Sequence, residues 1–331
     1  MLLTALWLTA SGLCGCAKPK AKLFDSDRAM KAAPIAKSAR SELIDGHLLD
    51  GLNQLRLGDL QAAKTAFLQH LQTNPKSALA HYHLGIVEMD EDRFEPARRH
   101  FEKALHLQPK LYGAASNLGV LYLRNGEDAA ALRRLEEAES VEPSDPRVIV
   151  NLANARIRRQ LWSEAVESYQ EAHKAIPGHA TVMYNLAVAL HARHRYAQAL
   201  KLLDEALLHR PGFQFARALR VSCLQGLGQT KEAVAAAREN LAVVEPTSDL
   251  QIALGRALLA SGKVDDGVEA LSRAVALDDT NPNALLAYGE VLDATGKRSG
   301  AAKMYRKYLR IRVRDLQDSR RVRNRLKLLE G

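Results

Sequence analysis

The sequence predicts an all-α solenoid, in which eight successive pairs of short helices are followed by one capping helix. Three observations carry this prediction. From residue 44 the chain repeats with a period of 34, starting at Ile44, Ala78, Tyr112, Pro146, Ala180, Gln214, Ser248 and Pro282 without a slip. The twentieth position of these repeats holds Ala seven times and Gly once. Of 331 residues, 47% are hydrophobic but only 5% aromatic, which suits helices in contact through small residues better than a β-sandwich. With 26% charged residues, 20 Gly and 11 Pro, the chain is neither disordered nor collagen-like.

Each phase of the repeat has a physical task. The eighth position, where the two helices of a pair cross, holds Gly51, Gly85, Gly119, Ala153, Ala187, Val221, Gly255 and Gly289. The twentieth holds Ala63, Ala97, Ala131, Ala165, Ala199, Ala233, Gly267 and Ala301, and the twenty-seventh is mostly Ala as well, with His70, Asn240 and Tyr308 as exceptions. Large residues at the twenty-fourth (Phe67, Phe101, Leu135, Tyr169, Leu203, Leu271, Tyr305) fill the space that the small ones leave. Gly58, Gly126, Gly228, Gly262 and Gly296 share the fifteenth position, where the first helix must end in a turn. Pro75, Pro109, Pro143, Pro177 and Pro211 share the thirty-second, where the second helix stops.

This pattern resembles the tetratricopeptide repeat family over residues 44–315, with repeats 2 to 5 the most regular. Repeat 6 departs at Arg220, Val221 and Asn240, and its proline is displaced to Pro246, so irregular packing or a bend is expected there. The resemblance implies a right-handed solenoid whose first helices line a concave groove through their second, fifth, sixth, ninth and twelfth positions. Those positions include Leu48, Leu52, Leu55, Leu79, Tyr82, Ile86, Met89, Val120, Leu123, Val150, Ile157, Tyr184 and Val188. Some of them would also pack against the next repeat. At the sixth position, Asn117, Asn151 and Asn185 form a ladder similar to that of the O-linked N-acetylglucosamine transferase repeats, without a transferase domain. Two readings stand: the amides hold an extended peptide backbone, or they bond to the neighbouring helix. The candidate peptide-binding groove is therefore Tyr82, Ile86, Asn117, Val120, Asn151, Tyr184 and Asn185. A carboxylate clamp of the chaperone-binding kind would use Asn117 and Arg147, but Tyr82 and Ile86 occupy its leading slots.

The ends of the chain differ from its body. Residues 2–13 are an uncharged apolar run, the size of a signal-peptide core and too short to span a bilayer. Leu13-Cys14-Gly15-Cys16 resembles a bacterial lipobox, although Cys14 and the missing basic residue after Met1 depart from that pattern. This makes residues 1–15 a signal peptide and Cys16 the lipidation site, with a plain cleaved secretory signal as the other reading. Residues 16–43 form a flexible basic tether. Residues 316–331 form a basic C-terminal capping helix in which Val322, Leu326 and Leu329 share one face. Its alternative role is a docking patch for anionic lipid or an acidic partner.

The net charge of +9 sits at the ends: +4 in residues 17–43, +8 in residues 301–331 and −3 between them. A nucleic-acid reader would carry its basic stripe on the folded body, so no nucleic-acid partner is expected. The chain has no phosphate-binding glycine loop, no Gly-x-Ser-x-Gly and no His-Glu-x-x-His. His81 and His83 point apart on one helix, and His194 of the pair His191 and His194 falls at a turn position. No enzymatic activity, cofactor or metal is expected. The resemblance implies a membrane-anchored scaffold at the periplasmic face of the outer membrane. It would bind a protein or peptide in its groove and assist assembly of an envelope complex, like the pilotin lipoproteins of type IV pilus secretins. The alternative is an accessory subunit of a peptidoglycan or polysaccharide synthesis enzyme.

Overall fold

All eight repeats bend at the same residue, because the backbone turns left-handed at the fifteenth position of each. The computed structural model describes residues 45–311 and 316–330. Gly58, Gly126, Gly228, Gly262 and Gly296 have φ between 73° and 84° there. Asp92, Gln160 and His194 occupy the same position in the other three repeats and also take positive φ, between 58° and 60°. For these three the left-handed backbone costs roughly 1–2 kcal/mol per residue, which the packing of the hairpin offsets. At Gly126 the turn closes with Glu127 N donating to Tyr122 O at 2.9 Å, which satisfies a carbonyl that the helix end leaves open.

The described residues form two units. The first, residues 45–176, holds the pairs α1 (Gly46–Leu57) and α2 (Leu60–Thr73), α3 (Ala78–Asp90) and α4 (Phe94–Leu107), α5 (Tyr112–Asn125) and α6 (Asp128–Val141), and α7 (Pro146–Arg158) and α8 (Trp162–Ala175). The second, residues 177–330, holds α9 (Ala180–Ala192) and α10 (Tyr196–His209), α11 (Gln214–Gly226) and α12 (Thr230–Val243), α13 (Ser248–Ala260) and α14 (Val264–Leu277), α15 (Pro282–Ala294) and α16 (Arg298–Arg310), and finally α17 (Leu316–Glu330). The described residues contain no strand, and the fold is the expected α-solenoid of eight helix pairs with a capping helix. Within each unit a first helix packs on its own second helix, which packs on the next first helix. No helix among the described residues is long and apolar enough to cross a membrane. Cys16, residues 1–15 and the tether lie outside the described residues.

The small-against-large pairing within each repeat is explicit in the distances. A Cβ added to Gly51 or Gly85 would lie 2.5 Å from Phe67 or Phe101, and one added to Gly119 would lie 2.6 Å from Leu135. Repeat 6 inverts the pair: Val221 at the eighth position and Ala237 at the twenty-fourth are both buried in one cluster. Its Asn240 is also satisfied, accepting from Arg217 Nη1 at 3.0 Å and donating to Arg217 O at 3.2 Å. The body of repeat 6 is thus packed, and the expected irregularity falls on the loop that follows it. In the six other loops joining one repeat to the next, the first loop residue has ψ between 68° and 98°. Val244 instead has ψ 156°, and Thr247 is extended at φ −119°, ψ 160°. In five of these six loops proline is the second residue of the turn, as in Gln108-Pro109-Lys110-Leu111, where Leu111 N donates to Gln108 O at 3.1 Å. Pro246 is the third, and a proline there drives the residue before it out of the helical region, so the turn opens.

The C-terminal helix caps the last repeat. Val322 is 2% exposed, and it packs with Leu326 and Leu329 against Leu285, Tyr305 and Tyr308. Arg321 bridges to Glu290 at 2.8 Å, and Arg325 grips Asp293 with two nitrogens at 2.6 and 2.8 Å. The hydrogen bond from Arg325 holds the Asp293 carboxyl below the usual carboxylate range.

Candidate functional site

The first helices hold the residues that the sequence assigns to a groove, and packing decides how much of each remains open. Tyr82 and Ile86, on α3, are 6% and 5% exposed and belong to the core of the first unit. Val120 and Asn117, on α5, are half-buried. Asn151, on α7, is 8% exposed, and its Nδ2 donates to Ser116 Oγ on α5 at 3.3 Å. On α9 of the second unit, Tyr184 is 6% exposed and Asn185 is 1% exposed. Tyr184 packs on Phe213 with ring centroids 5.0 Å apart. The three amides are therefore not an equally open row: Asn117 is accessible, whereas Asn151 serves the contact between neighbouring first helices. The open part of this face in the first unit is Leu52, Leu55, Met89, Asn117 and Val120, each half-buried.

Sequence reasoning missed a polar cluster at the N-terminal edge of this face. Tyr82 reaches across to α5, where Gly113 makes room: a Cβ there would lie 2.8 Å from the tyrosine hydroxyl. Burial pushes the Tyr82 hydroxyl up to about 12, so it stays neutral. Asp145 caps α7 by accepting from Arg147 N at 2.9 Å, and it also accepts from Arg147 Nε at 3.0 Å. Burial pushes the Asp145 carboxyl up, but the hydrogen bonds and charge of Arg147 outweigh this and leave it below its ordinary value. A hydrogen bond from Tyr112 acts in the same direction. Because Arg147 is held by Asp145, it is not a free carboxylate clamp. The available signal was Gly113, at a phase where the preceding repeat has Leu79.

Several histidines of the first helices are packed or paired. His81 faces His100 with their Nδ1 atoms 3.1 Å apart, and burial followed by the charge of His81 pushes His100 down. His191 approaches Ser222 with its Nε2 3.0 Å from the hydroxyl, and burial pushes the imidazole down to about 4. No group of three or more metal-ligating side chains is assembled among the described residues. His83 holds the sixth position on α3, the phase that carries Asn in the next three repeats. It stacks on Phe67 with centroids 5.5 Å apart, and burial pushes its pKa from 6.5 down to about 4. The unfolded chain thus binds more protons between these values. The associated stability, up to about 3 kcal/mol, is present above pH 6.5 and lost as the pH falls toward 4. His83→Asn should flatten the acid limb of a melting-temperature-versus-pH profile over that window. An unchanged slope would contradict a buried neutral imidazole.

The tetratricopeptide repeat family matches residues 48–112, 88–149, 156–223 and 252–312. No curated protein matches the chain. Among solved structures, a tetratricopeptide repeat protein from Parabacteroides merdae aligns with 74% of this chain and 97% of its own, at 15% identity and a TM-score of 0.56. PilF from Pseudomonas aeruginosa aligns with 62% of this chain and 94% of its own, at 20% identity and 0.55. Yeast Tom70 aligns with 91% of this chain and 66% of its own, at 12% identity and 0.57. At these identities the likeness is one of fold.

Proposed function

The chain belongs to the tetratricopeptide repeat family, whose members act as scaffolds for protein–protein interaction, and from that premise we propose that it holds a protein or peptide partner on its first-helix face. The proposal includes an envelope setting: a lipid on Cys16 anchors the chain at the periplasmic face of the outer membrane, where it assists assembly of a complex such as a type IV pilus or secretin. The observation that supports binding is the half-buried stripe of Leu52, Leu55, Met89, Asn117 and Val120 in residues 45–176. Its apolar members provide affinity, and the Asn117 amide fits a peptide group. The anchor rests on the apolar run that ends at Gly15-Cys16.

A photo-crosslinking residue tests the face directly. Placed at Val120 in intact envelopes, it should capture a discrete partner. Placed at Glu136, exposed on α6, it should capture none. Equal capture from both positions would sink the assignment. In the same cells, Cys16→Ser should abolish acyl labelling and release the protein from membranes. Unlabelled wild-type protein would be a plain secreted scaffold.

A further inference from the structure

The opened turn after repeat 6 has a consequence within the second unit. A cavity of about 430 Å³ lies against it, lined in part by Phe215, Glu245, Pro246, Asp249, Leu277 and Asp278. Its walls are unusual for this chain. Phe215 is 37% exposed, more than any other Phe, Tyr or Trp among the described residues, and Leu277 is 50% exposed. Three acidic residues and no basic residue line the cavity. Asp249 accepts from Asn281 Nδ2 at 3.2 Å, and Asp278 accepts from Thr280 N at 2.9 Å. These are neutral partners, so the negative charge is not cancelled. By contrast, Glu290 and Asp293 beneath α17 are each matched by an arginine. Among the described residues, Glu245, Asp249 and Asp278 form no ion pair.

We propose that this cavity binds an extended cationic peptide segment, with an apolar side chain seated on Phe215 and Leu277 and flanking lysines or arginines beside Glu245, Asp249 and Asp278. The charge of the lining selects the occupant. An anionic ligand would add repulsion to three carboxylates, and a purely apolar one would leave them without counter-charge. The site is separate from the face assigned in residues 45–176, and it depends on the position of one proline. Were proline at position 245 rather than 246, the turn would close as it does after Gln108, where proline is the second residue.

The experiment is a fluorescence anisotropy titration of the full chain with three labelled peptides: Gly-Lys-Leu-Lys-Leu-Lys-Gly, its Lys-Ser counterpart and its Glu-Leu counterpart. The Lys-Leu peptide should bind at least about tenfold more tightly than the other two. Phe215→Ser should weaken it by about tenfold, the change expected from losing one apolar contact of this size. The double variant Glu245→Pro with Pro246→Glu keeps composition and charge. It should weaken binding at least as much, with helix content unchanged by circular dichroism and no fall in melting temperature. Wild-type affinity in both variants, or equal binding of the Lys-Ser peptide, would overturn the proposal. Tight binding that appears only after residues 17–43 are deleted would support the site and identify its occupant as the chain's own lysine-rich segment.

Discussion

Phe101→Ala should lower the unfolding free energy of the first unit by about 3–5 kcal/mol, because it empties a fully buried site over Gly85. The surrounding helices have little room to collapse, since Ala97 and Ala104 are small and already fully buried. The cause can be isolated by rebuilding a pair that the protein itself uses. Repeat 5 has Ala187 where repeat 2 has Gly85, and Leu203 where it has Phe101. Gly85→Ala alone places a Cβ 2.5 Å from the Phe101 ring, which should cost roughly 1–3 kcal/mol in overpacking, less the helix propensity that Ala gains over Gly. The double variant Gly85→Ala with Phe101→Leu should recover to within about 1.5 kcal/mol of wild type, as a volume-conserving exchange does. Urea denaturation, with hydrogen exchange over α3 and α4 as a local readout, measures all three. Strict additivity of the two single changes would show that the eighth and twenty-fourth positions do not pack as a unit.

Ending the chain at Asp315 should have a comparable effect at the other end. It removes α17, leaving Leu285, Tyr305 and Tyr308 without the cover of Val322, Leu326 and Leu329. Losing that cover should destabilise the last repeat by roughly 3–6 kcal/mol, from one fully and two partly buried aliphatic side chains. Terminal repeats need a polar outer face for solubility, so the truncated chain should also self-associate in light scattering. Replacing only Arg321 and Arg325 by Ala should cost much less, since both side chains are about half exposed and solvent screens their bridges. A truncated chain that stays monomeric with wild-type stability would show that α17 is not a cap.

The two experiments differ in how far the sequence anticipates them. The pairing at Gly85 and Phe101 is legible without coordinates, because a 34-residue period repeats the same small-against-large choice and only helix crossings require it. The turn positions are equally legible. Even Asp92, Gln160 and His194, which lack the glycine signature, adopt the left-handed backbone that the spacing demands. The displaced Pro246 marks the place of the irregularity, and elementary turn geometry gives its direction.

Which residues face a partner was not legible in the same way. Periodicity places Tyr82, Asn117, Asn151 and Asn185 on the first-helix face, but it cannot say which of them a neighbouring helix covers. That depends on reach and on the size of the residue opposite: Tyr82 is covered because Gly113 admits its ring, and Asn151 because Ser116 offers an acceptor. Repeat 6 reads as a defect in sequence, yet Val221 and Ala237 exchange volumes across one crossing, and only the packed hairpin shows the exchange. The sequence by itself determined the helix pairs, their turns and the small-against-large register, because these are local or strictly periodic. The tertiary structure alone decided exposure, ion pairing and the cavity beside Phe215, because each depends on side chains brought together from different repeats.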